Sequence, residues 1–143
     1  MSDLRQVGAL PIKQFDDGTP AILLITSRER GRWIIPKGWP IEGKSWAEAA
    51  EIEAWEEAGV RGDVANDVFG QFRYVKVDEP KSHEVLVDVY RLAVREEESA
   101  WPERGERKRE WCTIEEALVR LDDRELAALI ERERALLLSG LAV

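Results

Sequence analysis

The chain has 143 residues, enough for one domain with a full core and little room for a second, so residues 1–143 are expected to form a single domain. Hydrophobic residues make up 44% and charged residues 35%, and the net charge of −8 argues against specific nucleic-acid binding while leaving metal-assisted phosphate chemistry open. No run is long enough to span a membrane, the opening MSDLRQVGALPIKQ has no signal-peptide apolar region, and the lone Cys112 excludes an internal disulfide, so a cytoplasmic setting is expected.

In chain order, FDDGTP at 15–20 is dense in turn formers and predicts a hairpin loop between ALPIKQ and AILLIT. RWIIPKGWP (32–40) reads as a strand ending in a turn punctuated by Pro and Gly. Ser45 with Glu48 three residues on is a capping-box pattern. It opens a helix from about Trp46 to Ala58, which Gly59 stops. DVFGQFRYVKV (67–77) and EVLVDVYRLAV (84–94) are expected to be strands. In the second, Val85, Val87, Val89 and Arg91 share one face, and Leu86, Asp88, Tyr90 and Leu92 share the other.

EEESAWPERGERKRE (96–110) reads as a polar loop. Thr113 with Glu116 forms a second capping box, opening the short helix IEEALVRL. Asp122 or Asp123 caps a last helix reaching about Ser139, with Leu126, Leu129, Ile130 and Leu137 on its buried stripe and Gly140 closing it. Antiparallel-type strands, one mid-chain helix and two terminal helices predict an α+β layer arrangement.

The mid-chain helix raises a chemical question. Glu53, Glu56 and Glu57 fall within an arc of roughly 100°, and like charges at these spacings repel. Beside them Ala47, Ala50, Ala54 and Ala58 form a stripe of small residues that lets the helix sit close to a sheet. Convergent carboxylate oxygens suit a hard cation such as Mg²⁺ or Mn²⁺, whereas three glutamates on a free surface would simply be solvated.

The stretch from Gly38 to Val60, GWPIEGKSWAEAAEIEAWEEAGV, resembles the Nudix box, G-x5-E-x7-R-E-U-x-E-E-x-G-U with U apolar. Gly38, Glu53, Ala54, Glu56, Glu57, Gly59 and Val60 fit in register, while Lys44 stands at the pattern's glutamate and Ile52 at its arginine. SRERGRWIIPKGW before the box and ERKREWCTIEEAL after it look like the diphosphoinositol polyphosphate phosphohydrolase branch, over roughly Val7 to Leu121. The resemblance implies a Nudix α/β/α sandwich with a mixed sheet. It also implies hydrolysis of a phosphoanhydride in a small polyphosphate, with Mg²⁺ or Mn²⁺. The ligands implied are Glu53, Glu56 and Glu57 with the backbone carbonyl of Lys37 or Gly38. One of the glutamates is the implied general base, and the choice among them stays open.

Lys44 and Ile52 have changed together, which avoids stranding one charge of a supporting pair. Ile52 is placed to pack on Trp55, its i+3 neighbour. Among the cations, SRERGR carries Arg28, Arg30 and Arg32, and ERKRE carries Arg107, Lys108 and Arg109. The resemblance puts both segments at the substrate end, which makes Arg28, Arg32, Lys37, Lys108 and Arg109 the expected substrate-binding residues, since arginine forks suit phosphate oxygens; balancing the interleaved glutamates is the alternative. His83, Glu84, Trp39 and Trp46 are weighed as weaker candidates against ordinary surface or packing roles. A small-molecule polyphosphate is the expected partner. The substrate class stays open among dinucleoside polyphosphates, diphosphoinositol polyphosphates and nucleoside diphosphates linked to another group. A Nudix-like module that binds such ligands without cleaving them is the alternative.

Overall fold

A computed structural model of the chain describes residues 4–78 and 80–139. Its elements run β1 (Arg5–Gln14), β2 (Pro20–Thr26), β3 (Trp33–Ile34), β4 (Lys37–Gly38), α1 (Trp46–Ala58), β5 (Val60–Val64), β6 (Gly70–Asp78), β7 (Lys81–Glu97), β8 (Arg109–Thr113), α2 (Ile114–Arg120), α3 (Arg124–Arg132) and α4 (Arg134–Ser139). The strands form one mixed sheet in the order β3-β2-β1-β7-β5, with β4 paired to β1, β6 to β7 and β8 to β2. At its centre β1 and β7 run parallel, from Arg5 opposite Leu86 to Ile12 opposite Ala93. The remaining strand pairs named here are antiparallel.

Alternation along the two central strands divides the core into two layers. Val7, Ala9, Tyr90 and Leu92 meet the alanine-rich face of α1. Leu10, Ile12, Val85, Val87 and Val89 point the other way, where Ile114, Leu126, Leu129, Ile130 and Leu137 of the C-terminal helices cover them. The result is an α/β/α sandwich of the α+β class. Ala47, Ala49, Ala50, Ala54 and Ala58 are all buried, so α1 lies directly on the sheet without large side chains to hold it off. No helix among the described residues is long and apolar enough to cross a membrane.

Four local expectations are revised. RWIIPKGWP forms two-residue strands, β3 and β4, separated by Ile35 and Pro36 rather than one continuous strand. The strand predicted over 67–77 starts only at Gly70, where α3 packs so closely that an added Cβ would lie 2.3 Å from a Leu129 methyl. The segment 96–110 is not all loop, because β7 continues to Glu97 and β8 begins at Arg109. The last helix is two, since Glu133 at φ −103 and ψ 24 breaks the run between α3 and α4. Asp123 occupies the cap position of α3 without a side-chain capping bond. Gly140 lies outside the described residues.

β5 and β8 escape a search for apolar alternation for the same reason. VRGDV offers only Val60 and Val64, and REWCT only Trp111 and Cys112, as apolar residues, too few over five positions to stand out as a strand pattern, so their pairing is set by tertiary neighbours. β8 runs antiparallel to β2 from Thr113 opposite Ala21 to Arg109 opposite Ile25. In β5, the register shifts between Arg61 and Gly62, and a Cβ on Gly62 would stand 1.9 Å from the Ala93 carbonyl oxygen. That obstacle is backbone and cannot swing aside. Gly62→Ala is therefore expected to destabilise the fold by about 2–4 kcal/mol, measured by denaturant unfolding. A loss within about 0.5 kcal/mol would mean the strand can slide away freely.

Candidate active site

Both ends of α1 are fastened. At the start, the Glu48 N–H donates to Ser45 Oγ at 3.1 Å and the Ser45 N–H donates to Glu48 Oε1 at 2.8 Å. At the end, Gly59 turns left-handed at φ 68, a conformation glycine adopts without penalty. The last carbonyls of the helix find donors in the segment between β7 and β8. The Glu103 N–H donates to the Glu56 carbonyl at 3.1 Å, and Trp101 Nε1–H donates to that of Glu57 at 3.3 Å. Arg109 Nη1 donates to Ala58 O at 2.9 Å and to Gly59 O at 3.3 Å. What reads as a polar loop is thus a strap over the C-terminal turn of α1.

The rigid helix presents Glu53 and Glu57 to β4. Glu53 lies so close over Gly38 that a Cβ there would sit 2.4 Å from its carboxyl carbon. The Lys37 N–H donates to Glu57 Oε1 at 3.2 Å. The two carboxyl groups are close enough to perturb each other, and burial raises both; Glu57 is pushed up to about 8, with the nearby Arg107 guanidinium opposing the shift. Glu56 does not complete a cluster. Among the described residues no three acidic, histidine or cysteine side chains converge as a ready-made metal cage. Glu56, half-buried one position before Glu57, adds its charge to the burial that raises the Glu53 carboxyl. Two raised, neighbouring carboxyl groups are the environment a hard divalent cation relieves, and their oxygens fit Mg²⁺ or Mn²⁺.

The expected substrate cations divide by environment. Arg28 is exposed and paired with Glu106 at 3.1 Å, and Arg32 with Asp122 at 3.3 Å. Lys108 is exposed, its backbone N–H donating to Thr26 Oγ1 at 2.9 Å. Lys37 carries its ammonium 4.6 Å from the centre of the Tyr74 ring, and burial lowers its pKa. Arg109 is different. Besides the two bonds to the end of α1 it donates to Glu98 O at 2.8 Å and stacks on Trp101 at 4.0 Å, so its guanidinium is committed to structure. Any phosphate-binding role for Arg109 would have to be met by a guanidinium already bonded to three backbone carbonyls.

Sequence reasoning named Arg107 among the cations of ERKRE without selecting it, and gave Tyr74 and Asp123 no part in the site. Arg107 is almost buried, with Nη2 3.9 Å from Glu57 Oε2. Tyr74 donates its hydroxyl to Gln6 Oε1 at 2.7 Å, and Asp123 is near enough to Lys37 for the ammonium to oppose the rise that burial imposes on its carboxyl. The run of alternating acids and bases in ERGERKRE conceals which arginine faces inward. Glu84 pairs with Arg73 at 3.5 Å on the exposed sheet edge, and His83 sits opposite Lys76 in the β6–β7 hairpin. Trp39 is exposed, and Trp46 carries the Arg5 guanidinium at 5.1 Å. Lys44 is exposed before α1, while Ile52 and Trp55 line a cleft of about 410 Å³ that also contains Arg61, stacked on Trp55 at 3.8 Å. That cleft includes neither Glu53 nor Glu57.

A glycine strand end, a capped helix of small residues and paired glutamates define the class: a family model described as NUDIX domain matches residues 4–132, and the chain belongs to that family. Nudix hydrolase 13, mitochondrial, of Arabidopsis thaliana is 35% identical over 107 residues, covering 68% of this chain and 51% of the relative, so the chain spans about half the length of that relative. In structure, the chain is similar to a Caenorhabditis elegans Ap4A hydrolase in a binary complex, at TM-score 0.69 and 22% identity, covering 96% of this chain and 98% of the other. It is also similar to the NUDIX domain of Shewanella oneidensis NrtR complexed with ADP ribose, at TM-score 0.65 and 15% identity, covering 95% and 90%. The two structural likenesses bear on the fold alone.

Proposed function

We propose that the protein is a divalent-metal-dependent pyrophosphohydrolase that cleaves a phosphoanhydride in a nucleoside-diphosphate-linked or dinucleoside polyphosphate substrate. The observation that carries this reading is the Glu53–Glu57 pair held against the β4 backbone, raised by burial and open to a hard cation. Mg²⁺ or Mn²⁺, when bound, supplies the charge that stabilises the phosphoryl oxygens and lowers the pKa of attacking water. The chain's own contribution is placement. Gly38 lets Glu53 approach the strand, the Lys37 N–H orients Glu57, and the alanine face denies α1 any freedom to withdraw.

The cation inventory supports a lightly phosphorylated substrate over a diphosphoinositol polyphosphate. Arg28 and Arg32 each carry a carboxylate partner, and Arg109 is spent on backbone carbonyls. What remains near the carboxylates suits two to four phosphates better than a fully phosphorylated ring. The test is product release from a panel of Ap4A, ADP-ribose and a diphosphoinositol polyphosphate with Mg²⁺ or Mn²⁺. Turnover of the first two over the third is expected. Binding of every member with no cleavage would turn the reading into that of a non-catalytic module.

Gly38 offers a sharp check. A Cβ at this position strikes the mobile end of Glu53, 2.6 and 2.7 Å from its two oxygens, so the side chain can move at little energetic cost. Gly38→Ala is expected to leave the melting temperature nearly unchanged while lowering kcat by about tenfold or more, because only Glu53 is displaced. Unchanged turnover would show that Glu53 need not lie against β4.

A further inference from the structure

We propose that Arg107 is a positioning residue: Glu103 and Thr26 hold its guanidinium rigid, and its remaining edge sets the direction of the Glu57 carboxylate. The proposal rests on the reading of Glu53 and Glu57 as the cation-binding pair.

The geometry is a closed circuit. Arg107 Nε donates to Glu103 Oε1 at 2.8 Å, and Nη1 donates to the Thr26 carbonyl at 3.1 Å. Two anchors on a planar fork fix the third nitrogen, Nη2, which stands 3.9 Å from Glu57 Oε2. Both anchors are themselves tied. Glu103 is bonded through its N–H to the Glu56 carbonyl on α1 at 3.1 Å, and Thr26 exchanges two bonds with Lys108 at 3.0 and 2.9 Å. The Arg107 and Glu57 side chains are each only 8% exposed, so water offers neither a competing partner.

Glu57 is therefore addressed from two elements at once, Oε1 by the Lys37 N–H and Oε2 by Arg107. A separation of 3.9 Å exceeds hydrogen-bonding distance, so Arg107 orients the carboxylate without occupying its lone pairs, which stay available to a ligand. The box pattern has an arginine at position 52, where this chain has Ile52 turned into the cleft with Trp55. The fork that reaches the glutamates here comes from outside the box.

The test compares Arg107→Met, Arg107→Lys and Glu103→Gln with the wild type, using Mn²⁺ binding to the substrate-free protein by electron paramagnetic resonance alongside kcat and KM. Coulomb's law alone would tighten Mn²⁺ binding once a neighbouring cation is removed. Positioning predicts the opposite, a loss of about tenfold or more in both Arg107 variants, because lysine keeps the charge and lacks the fork. The loss in turnover is expected in kcat, with KM nearly unchanged, and Glu103→Gln should show a smaller loss in the same direction. Unchanged or tighter Mn²⁺ binding in Arg107→Met, full recovery in Arg107→Lys, or a defect confined to KM would overturn the proposal. Should Arg107→Met fail to fold, wild-type Mn²⁺ affinity and kcat in a folded Glu103→Gln would overturn it as well. Glu57→Gln separates the two readings: weaker Mn²⁺ binding there without any in Arg107→Met removes the role of Arg107 alone. Unchanged binding in Glu57→Gln removes both.

Discussion

Glu57→Gln is expected to lower hydrolysis on the order of a hundredfold or more while making the metal-free protein more stable at alkaline pH. The amide keeps the shape of the side chain and removes the charge that a cation needs. The stability effect follows from burial. Glu57 is 7% exposed, and its carboxyl is pushed up from 4.5 to about 8. An acid whose folded pKa is raised binds a proton in the folded state at pH values where the unfolded chain has lost it. Its contribution is fully present below about 4.5 and is lost as pH rises through about 8. Thermal unfolding in chelator should show the wild-type melting temperature falling across that window, with a shallower fall in Glu57→Gln. Parallel pH profiles for the two proteins would refute the placement of a buried, raised carboxyl, and near-normal turnover would refute its role.

The second large effect is structural. Arg109→Ala removes the donors that satisfy the Ala58, Gly59 and Glu98 carbonyls and strips the cation from the face of Trp101. Several backbone acceptors at a helix end lose their charged partner together, at a cost of about 2–4 kcal/mol. A fall in melting temperature of about 10 °C is expected for a domain of this size. Because the guanidinium serves the helix rather than a phosphate, KM should respond equally for short and long polyphosphates. A protein of wild-type stability with KM raised only for the longer substrate would return Arg109 to the phosphate site.

These two residues also mark where sequence alone was sufficient and where it was not. The capping boxes at Ser45 and Thr113, the stop at Gly59, the alternating faces of β7 and the buried leucines of α3 are all encoded in short-range spacing, and each has that form in the structure. Local rules succeed there because a cap bonds within three residues and a strand or helix face repeats within two to four. Family membership was likewise legible, since the box is a gapless pattern carried on one helix and the turn before it. The placement of Glu53 and Glu57 against β4 and the different partners of Arg107 and Arg109 were not. Two arginines separated by one lysine look alike in sequence, yet one faces Glu57 and the other the end of α1. That choice depends on where β8 docks along β2 and how the strap crosses α1, contacts between residues about 50 to 90 positions apart in the chain. Spacing determined the helix and its carboxylates; the long-range register of the sheet decided which charges they meet.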